Sequence, residues 1–255
     1  MTDAASDRPR VGVIGLGAFG RLAATALAAD CEVLGFDPDP PAQLPGAQIT
    51  DLNAVCDADA VVLAVNLQHL PSACDTIAPK LKSRALVADV TSVKLRPVDR
   101  MRASLPEHVE ILGTHPLFGP QSVAERGLRG LSVALCPVRM SDATMARVRA
   151  LLEGRLGLRL IETTPDEHDR QMAHVQALTH LVGHAAASLG VEELPLATIA
   201  YDRLRQLALN ISGDSDELFE TIQAANPYAA DVRRRFVEAI EQVRRRAGDP
   251  PGSAR

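Results

Sequence analysis

The stretch RVGVIGLGAFGRLAATALAAD, residues 10–30, limits the possible folds more than any other part of the chain. A short β-branched run, Val11 to Ile14, leads into Gly15-x-Gly17-x-x-Gly20, and an alanine-rich segment of helical composition follows from Leu22 to Ala29. In a strand–turn–helix unit the three glycines have separate tasks. Gly15 turns the chain tightly, Gly17 lets a pyrophosphate approach the backbone, and Gly20 lets helix and strand pack closely. The free N–H groups and positive dipole end of the helix favour phosphate. Gly15, Gly17, Ala18, Phe19 and Gly20 are therefore candidate cofactor contacts.

The next apolar run, EVLGF, ends at Asp37. An acid at the end of the second strand is placed to accept hydrogen bonds from ribose hydroxyls. It would repel a 2′-phosphate, and the following PDPPAQ has no Arg or Lys to offset that. NAD, rather than NADP, is the expected cofactor. Further strands follow as ADAVVLAV, SRALVADV, VEILGT, LSVALCP and LRLIETT, with helical or loop segments between the first of them, as βαβ units require. Ligands of open α/β sheets lie at the carboxyl ends of the strands. Topology thus predicts that Val65, Asn66, Thr91, Ser92 and His115 converge on one crevice, where Val65 and Asn66 are candidate cofactor contacts.

After residue 163 the β pattern stops. Pro165, Asp166 and Glu167 read as a helix start, and Met172, Val175, Leu178, Val182, Ala185 and Leu189 recur at helical spacing. Three more helical segments are expected: one from Pro195, one over DELFETIQAAN and one over AADVRRRFVEAIEQVRRRA. The fold class is α/β: a Rossmann-type NAD-binding domain over 1–163, then an all-α domain over 164–247, with 248–255 a disordered tail. The helical domain is expected to form a homodimer, because its broad apolar faces need a partner.

Composition narrows the function. A net charge of −5 argues against nucleic acid, and 3% aromatic residues argue against stacking platforms. No apolar run approaches the roughly 20 residues that span a bilayer, and MTDAASDRPR contains no apolar signal region, so a cytoplasmic protein is expected. Cys31, Cys56, Cys74 and Cys136 are scattered, and are expected to be reduced and structural. His180 and His184 are i,i+4 neighbours with the spacing of a zinc pair, but no third ligand is apparent nearby in the sequence, so no metal is expected. Gln176 and His180 share a helix face that could look into the crevice. His168, His174 and His184 read as satisfied or exposed histidines.

Five segments carry a family resemblance: GLGAFG (15–20), DVTSVK (89–94), GTHPLFGP (113–120), EHDRQMAHVQALTH (167–180) and AYDRLRQLALNISGDSDELF (200–219). Together they resemble the prephenate and arogenate dehydrogenases of tyrosine biosynthesis, over nearly the whole chain. The resemblance implies a dinucleotide domain followed by a helical dimerisation domain, and NAD-dependent oxidative decarboxylation of prephenate or arogenate. It implies that His115 is the catalytic histidine bonded to the ring hydroxyl, and that Ser92 helps orient both. His180 lies on the substrate side, while Gly15, Gly17, Gly20, Asp37 and Thr91 hold the cofactor. Members usually carry an acid where this chain has Gln121. Many prephenate-specific members carry a carboxylate-binding arginine where this chain has Leu209–Asn210, and Arg203 or Arg205 is the substitute at hand. A β-hydroxyacid dehydrogenase or imine reductase would need a lysine in HVQALTHLVGHAAAS, which has none. A dehydrogenase for 4-amino-4-deoxyprephenate stays open as an alternative. A non-catalytic NAD-binding regulator would have no use for both Ser92 and His115.

Overall fold

The computed structural model describes residues 8–248, so the tail expected at 248–255 lies, but for Gly248, outside the described residues. The chain forms two compact units, the first ending at His168 and the second beginning at Asp169.

The first unit runs β1 (Arg10–Ile14), α1 (Ala18–Leu27), β2 (Glu32–Phe36), β3 (Gln48–Ile49), α2 (Leu52–Cys56), β4 (Ala60–Leu63) and α3 (Leu70–Ile77). It continues with β5 (Leu86–Asp89), α4 (Leu95–Ser104), β6 (Glu110–Pro116), α5 (Pro120–Arg126), β7 (Ser132–Arg139), α6 (Asp142–Arg149) and β8 (Arg159–Glu162). The strands form one sheet in the order β3-β2-β1-β4-β5-β6-β7-β8. From β3 to β6 this is the doubly wound, dinucleotide-binding order, with all neighbours parallel. β7 then pairs antiparallel with β6, and β8 runs parallel to β7.

Apolar residues on both faces of the central strands suit a sheet covered on both sides. On one face Val55, Leu70, Ile77, Val98 and Met101 from α2, α3 and α4 pack over Ile14, Val61 and Val87. On the other, Ala24 and Leu27 of α1 pack over Val11 and Val13, and Met145 of α6 over Leu112 and Leu135. Full burial of each large side chain contributes about 1.5–3 kcal/mol. The four cysteines are buried and free, as expected. Burial pushes the Cys56 and Cys74 thiols up to about 11, which keeps them protonated and inert.

The helical half contains α7 (Pro165–Met172), within which the unit boundary falls, then α8 (Thr179–Ser188), α9 (Ile199–Ile211), α10 (Asp216–Glu220) and α11 (Ala229–Arg246). α7 and α8 are joined by a π-helical stretch, Ala173–Leu178, so the helical periodicity read from 166 to 189 corresponds to one continuous run. α9 starts at Ile199, not at Pro195. Thr198 caps it, its hydroxyl accepting from the Tyr201 N–H at 3.3 Å, and that cap sets the first turn. In the second unit Ala177, Ile222 and Ala229 form a small buried cluster, with Leu218 against it.

Candidate active site

The glycine loop has the geometry its three positions imply. Gly15 has φ +92°, a conformation that strains any L side chain, and a Cβ there would stand 2.4 Å from the Ala64 carbonyl oxygen. A Cβ on Gly20 would meet the Gly15 carbonyl oxygen at 1.9 Å, which is the close helix–strand packing read from the sequence. Gly17 differs: nothing lies within 4 Å of a Cβ placed there. It is the N-cap of α1, and no side chain caps that helix, so the first-turn amides are left without a side-chain partner. Asp37 Oδ2 accepts the Leu16 N–H at 2.6 Å and Oδ1 accepts that of Asp39 at 2.9 Å. These two bonds fix the carboxylate beside the loop. They use only part of its acceptor capacity, which is about four lone-pair positions. The loop, the open helix end and the anchored acid fit a dinucleotide of the NAD type.

The carboxyl ends of β1, β4, β5 and β6 lie side by side. Val65 sits beside the glycine turn, its Cγ1 3.0 Å from a Cβ built on Gly15. The Asn66 carbonyl accepts the His69 N–H at 2.9 Å and starts the turn into α3. Phe19 and Phe118 face each other with ring centroids 6.3 Å apart, which brings the start of α1 to the segment after His115.

Behind this rim is a buried polar knot that the sequence reading did not single out. Lys94 and Asp89 form an ion pair with neither side chain exposed to solvent. Lys94 Nζ also donates to the Thr114 carbonyl at 2.6 Å, tying β5 to β6 one residue before His115. The Thr91 hydroxyl is turned inward, 2.6 Å from Asp89 Oδ2 and 2.9 Å from the Val93 carbonyl. Among the described residues, Ser92 is partly exposed between these anchors and makes no hydrogen bond to His115.

His115 lies inside β6, which runs one turn of the pleat further than VEILGT implies. It is 5% exposed. Its Nδ1 is 2.9 Å from Nε2 of His168, and the rings meet edge to face at 5.1 Å. Burial, then the neighbouring His168 and then Lys94 hold the His115 imidazole well below its ordinary 6.5. A neutral ring engaged at Nδ1 leaves Nε2 as its reactive nitrogen. His168 is the residue the sequence reading missed. It is in the quoted EHD segment, but nothing local shows that its partner stands 53 positions earlier.

The remaining candidates are placed separately. Gln121 is exposed on α5 and bonds Glu125 at 3.2 Å. Gln176 and His180 belong to the second unit, and Arg203 is exposed on α9. Arg205, half-buried, stands 3.7 Å from Glu193. A groove of about 1180 Å³ crosses the sheet face between α1 and the 142–156 segment, with Phe19, Thr114, Pro116 and Phe118 among its lining. His115 is not part of that lining, so the groove and the histidine are separate features.

Comparison with known proteins decides the family. A family model described as the prephenate dehydrogenase nucleotide-binding domain matches residues 28–161, more than half of the chain. The chain belongs to this family. A TYRAAT1-like C-terminal domain model matches residues 185–247. An Arabidopsis thaliana relative, arogenate dehydrogenase 1, chloroplastic, is 30% identical over 249 residues, covering 93% of this chain and 39% of its own length. A Streptomyces pristinaespiralis relative, 4-amino-4-deoxyprephenate dehydrogenase, is 34% identical over 189 residues, covering 71% of this chain and 61% of its own length. The chain thus spans less than two thirds of these relatives. In fold it is similar to the prephenate dehydrogenase from A. aeolicus solved with hydroxyphenyl propionate and NAD+, with a TM-score of 0.73 at 18% identity, covering 97% of this chain and 94% of that one. Family membership makes the first unit a nucleotide-binding domain. Among the described residues no helix is long and apolar enough to cross a membrane.

Proposed function

We propose that the protein is an NAD-dependent dehydrogenase acting on a cyclohexadiene that carries a ring hydroxyl and, across the ring, a carboxylate, as in prephenate and arogenate. The observation that carries this reading is the buried, uncharged His115 at the carboxyl end of β6, engaged at Nδ1 by His168. The nicotinamide, when bound, accepts a hydride from the hydroxyl-bearing carbon. His115 Nε2 takes the hydroxyl proton as the carbonyl develops, so Nδ1 carries the ring's own hydrogen and donates it to His168 Nε2. The bond to the carboxylate then breaks, carbon dioxide leaves, and the bonding pair enters the ring. The pair is delivered to the ring oxygen, which takes back the proton held at His115 Nε2 and becomes a phenol, and aromatisation makes the step effectively irreversible.

The cofactor is held by Gly15, Gly17, Ala18, Phe19 and Gly20 around the pyrophosphate and by Asp37 on the ribose, with Val65, Asn66 and Thr91 along the rim. Ser92 orients the hydroxyl. His180, Gln176, Gln121 and Arg203 are the substrate-side candidates, and a cation among them answers the substrate carboxylate. The same chemistry extends to the 4-amino analogue of prephenate, a second reading favoured by the 34% identity to the Streptomyces relative.

The protein acts as a cytoplasmic homodimer in this reading. Support comes from the apolar residues that the second unit leaves exposed: Leu189, Leu196 and Ile199, and Val237, Ile240 and Val243 at helical spacing on α11. The deciding assay supplies NAD with prephenate, arogenate or 4-amino-4-deoxyprephenate, in separate reactions, and follows NADH. Oxidation of one of them is expected. Turnover of none would overturn the proposal, and light scattering in solution tests the dimer.

A further inference from the structure

We infer that His180, His184 and Asp214 form a binding site for a zinc-type divalent cation in the second unit, a clamp that fastens α8 to the loop between α9 and α10. One ring nitrogen from each histidine and one carboxylate oxygen lie within 4.8 Å of one another. The three residues come from two elements, which the fold brings together at a close helix crossing. A Cβ on Gly183 would stand 2.3 Å from Ile211 Cδ1 and 3.3 Å from Ile211 Cβ, so the glycine lets the Ile211 side chain at the end of α9 pack directly on α8. Asp214, three residues beyond Ile211, is thereby delivered to His180.

The donor atoms are not used otherwise. His180 Nδ1 lies 3.2 Å from Asp214 Oδ2, but without the alignment of a hydrogen bond, and it is buried with no hydrogen-bond partner. His184 Nε2 is likewise buried and unpartnered. Two imidazole nitrogens left unsatisfied beside a carboxylate are costly, unless a ligand completes them. The His184 ring is braced edge-on by Phe219 at 4.5 Å.

Two imidazoles and one carboxylate suit zinc and its neighbours in the first transition row. Donors about 2.0–2.1 Å from a tetrahedral zinc stand about 3.3 Å apart, close to the His180–Asp214 separation, so His184 makes the main adjustment. The fourth position falls to water. The inference does not rest on the dehydrogenase reading, and the cation has no part in the hydride transfer. Coordination would engage the ring of His180, a residue that the family resemblance places on the substrate side, so the two roles compete.

The test needs no substrate. Full-length protein is stripped with a chelator and titrated with Co2+ alone, and the visible d–d absorption of the bound ion is followed. One Co2+ per chain is expected, displaced by Zn2+, with the melting temperature raised by the metal. His184→Gln and Asp214→Asn should each weaken binding at least about tenfold. X-ray absorption of the zinc-loaded wild type should show nitrogen and oxygen donors with imidazole scattering, a readout that stands even where a variant fails to fold. No stoichiometric metal, sulfur donors, or unchanged affinity in both folded variants overturns the site.

Discussion

His115 and His168 form a dyad, Nδ1 to Nε2 at 2.9 Å, in which one ring sets the orientation and tautomer of the other. His168 is then a positioning residue. His168→Ala should lower kcat about 10²-fold, the scale of a misplacement of about 1 Å at a reacting group, with KM little changed. Removing this neighbour should also raise the pH at which activity is lost, because His168 is one of the groups holding His115 down. A loss of activity with an unmoved pH profile would point to a merely structural role.

His115→Asn removes the proton acceptor and keeps much of the ring's shape. We expect kcat to fall by about 10²–10⁴ while NAD affinity, read by titration calorimetry, stays as in the wild type.

The depressed His115 also predicts how the protein behaves in acid. Activity should hold on a plateau to below pH 6.5 and then fall as the ring protonates. Stability has the same sign. Between the lowered folded value and the ordinary 6.5, the unfolded chain binds a proton that the folded chain does not. Stability is therefore fully present above about 6.5 and is lost as the pH drops. Urea melts at pH 7 and pH 5 should show a lower midpoint at pH 5, with a smaller difference in His115→Asn.

Two glycines separate folding from cofactor binding. Gly17→Ala meets no atom within 4 Å, and its φ of −63° suits alanine. Its stability should stay within about 0.5 kcal/mol of wild type, while KM for NAD rises. Gly20→Ala puts a methyl group 1.9 Å from backbone oxygen, and a cost of about 1–3 kcal/mol or more is expected. Equal behaviour of the two variants would contradict the cofactor reading.

Lys94→Met leaves the Asp89 carboxylate buried and unpaired. Loss of one partner of such a pair costs about 3–5 kcal/mol, and the double variant Lys94→Met, Asp89→Leu should recover part of it. Chemical denaturation of the three proteins measures both effects.

The glycine loop, the acid after β2 and the strand rhythm were legible in the sequence because they depend on local backbone demands and on apolar runs. The histidine at the end of β6 was also legible, through the family segment around it. The two-residue β3 has too few residues to show a period, and the antiparallel return of β7 is a matter of pairing, which composition does not encode. Thr91 reads as a cofactor contact, and the sequence does not show that its O–H is turned toward Asp89 and Val93. His168 and Asp214 could not be found by spacing, since their partners lie far away along the chain. The zinc-spaced pair His180 and His184 was visible, but its third member came only with the fold.

The antiparallel course of β7 has a consequence for how this scaffold can change. In a parallel step, the chain leaving Pro116 would have to travel to the opposite end of the sheet before re-entering. Here Pro116 pairs with Val133, so residues 117–131, with α5 among them, depart and return along the same edge that carries His115. That excursion can lengthen, shorten or exchange its side chains without shifting a single register in the parallel strands. The segment beside His115 can therefore vary in sequence and length while the nucleotide-binding strands stay fixed.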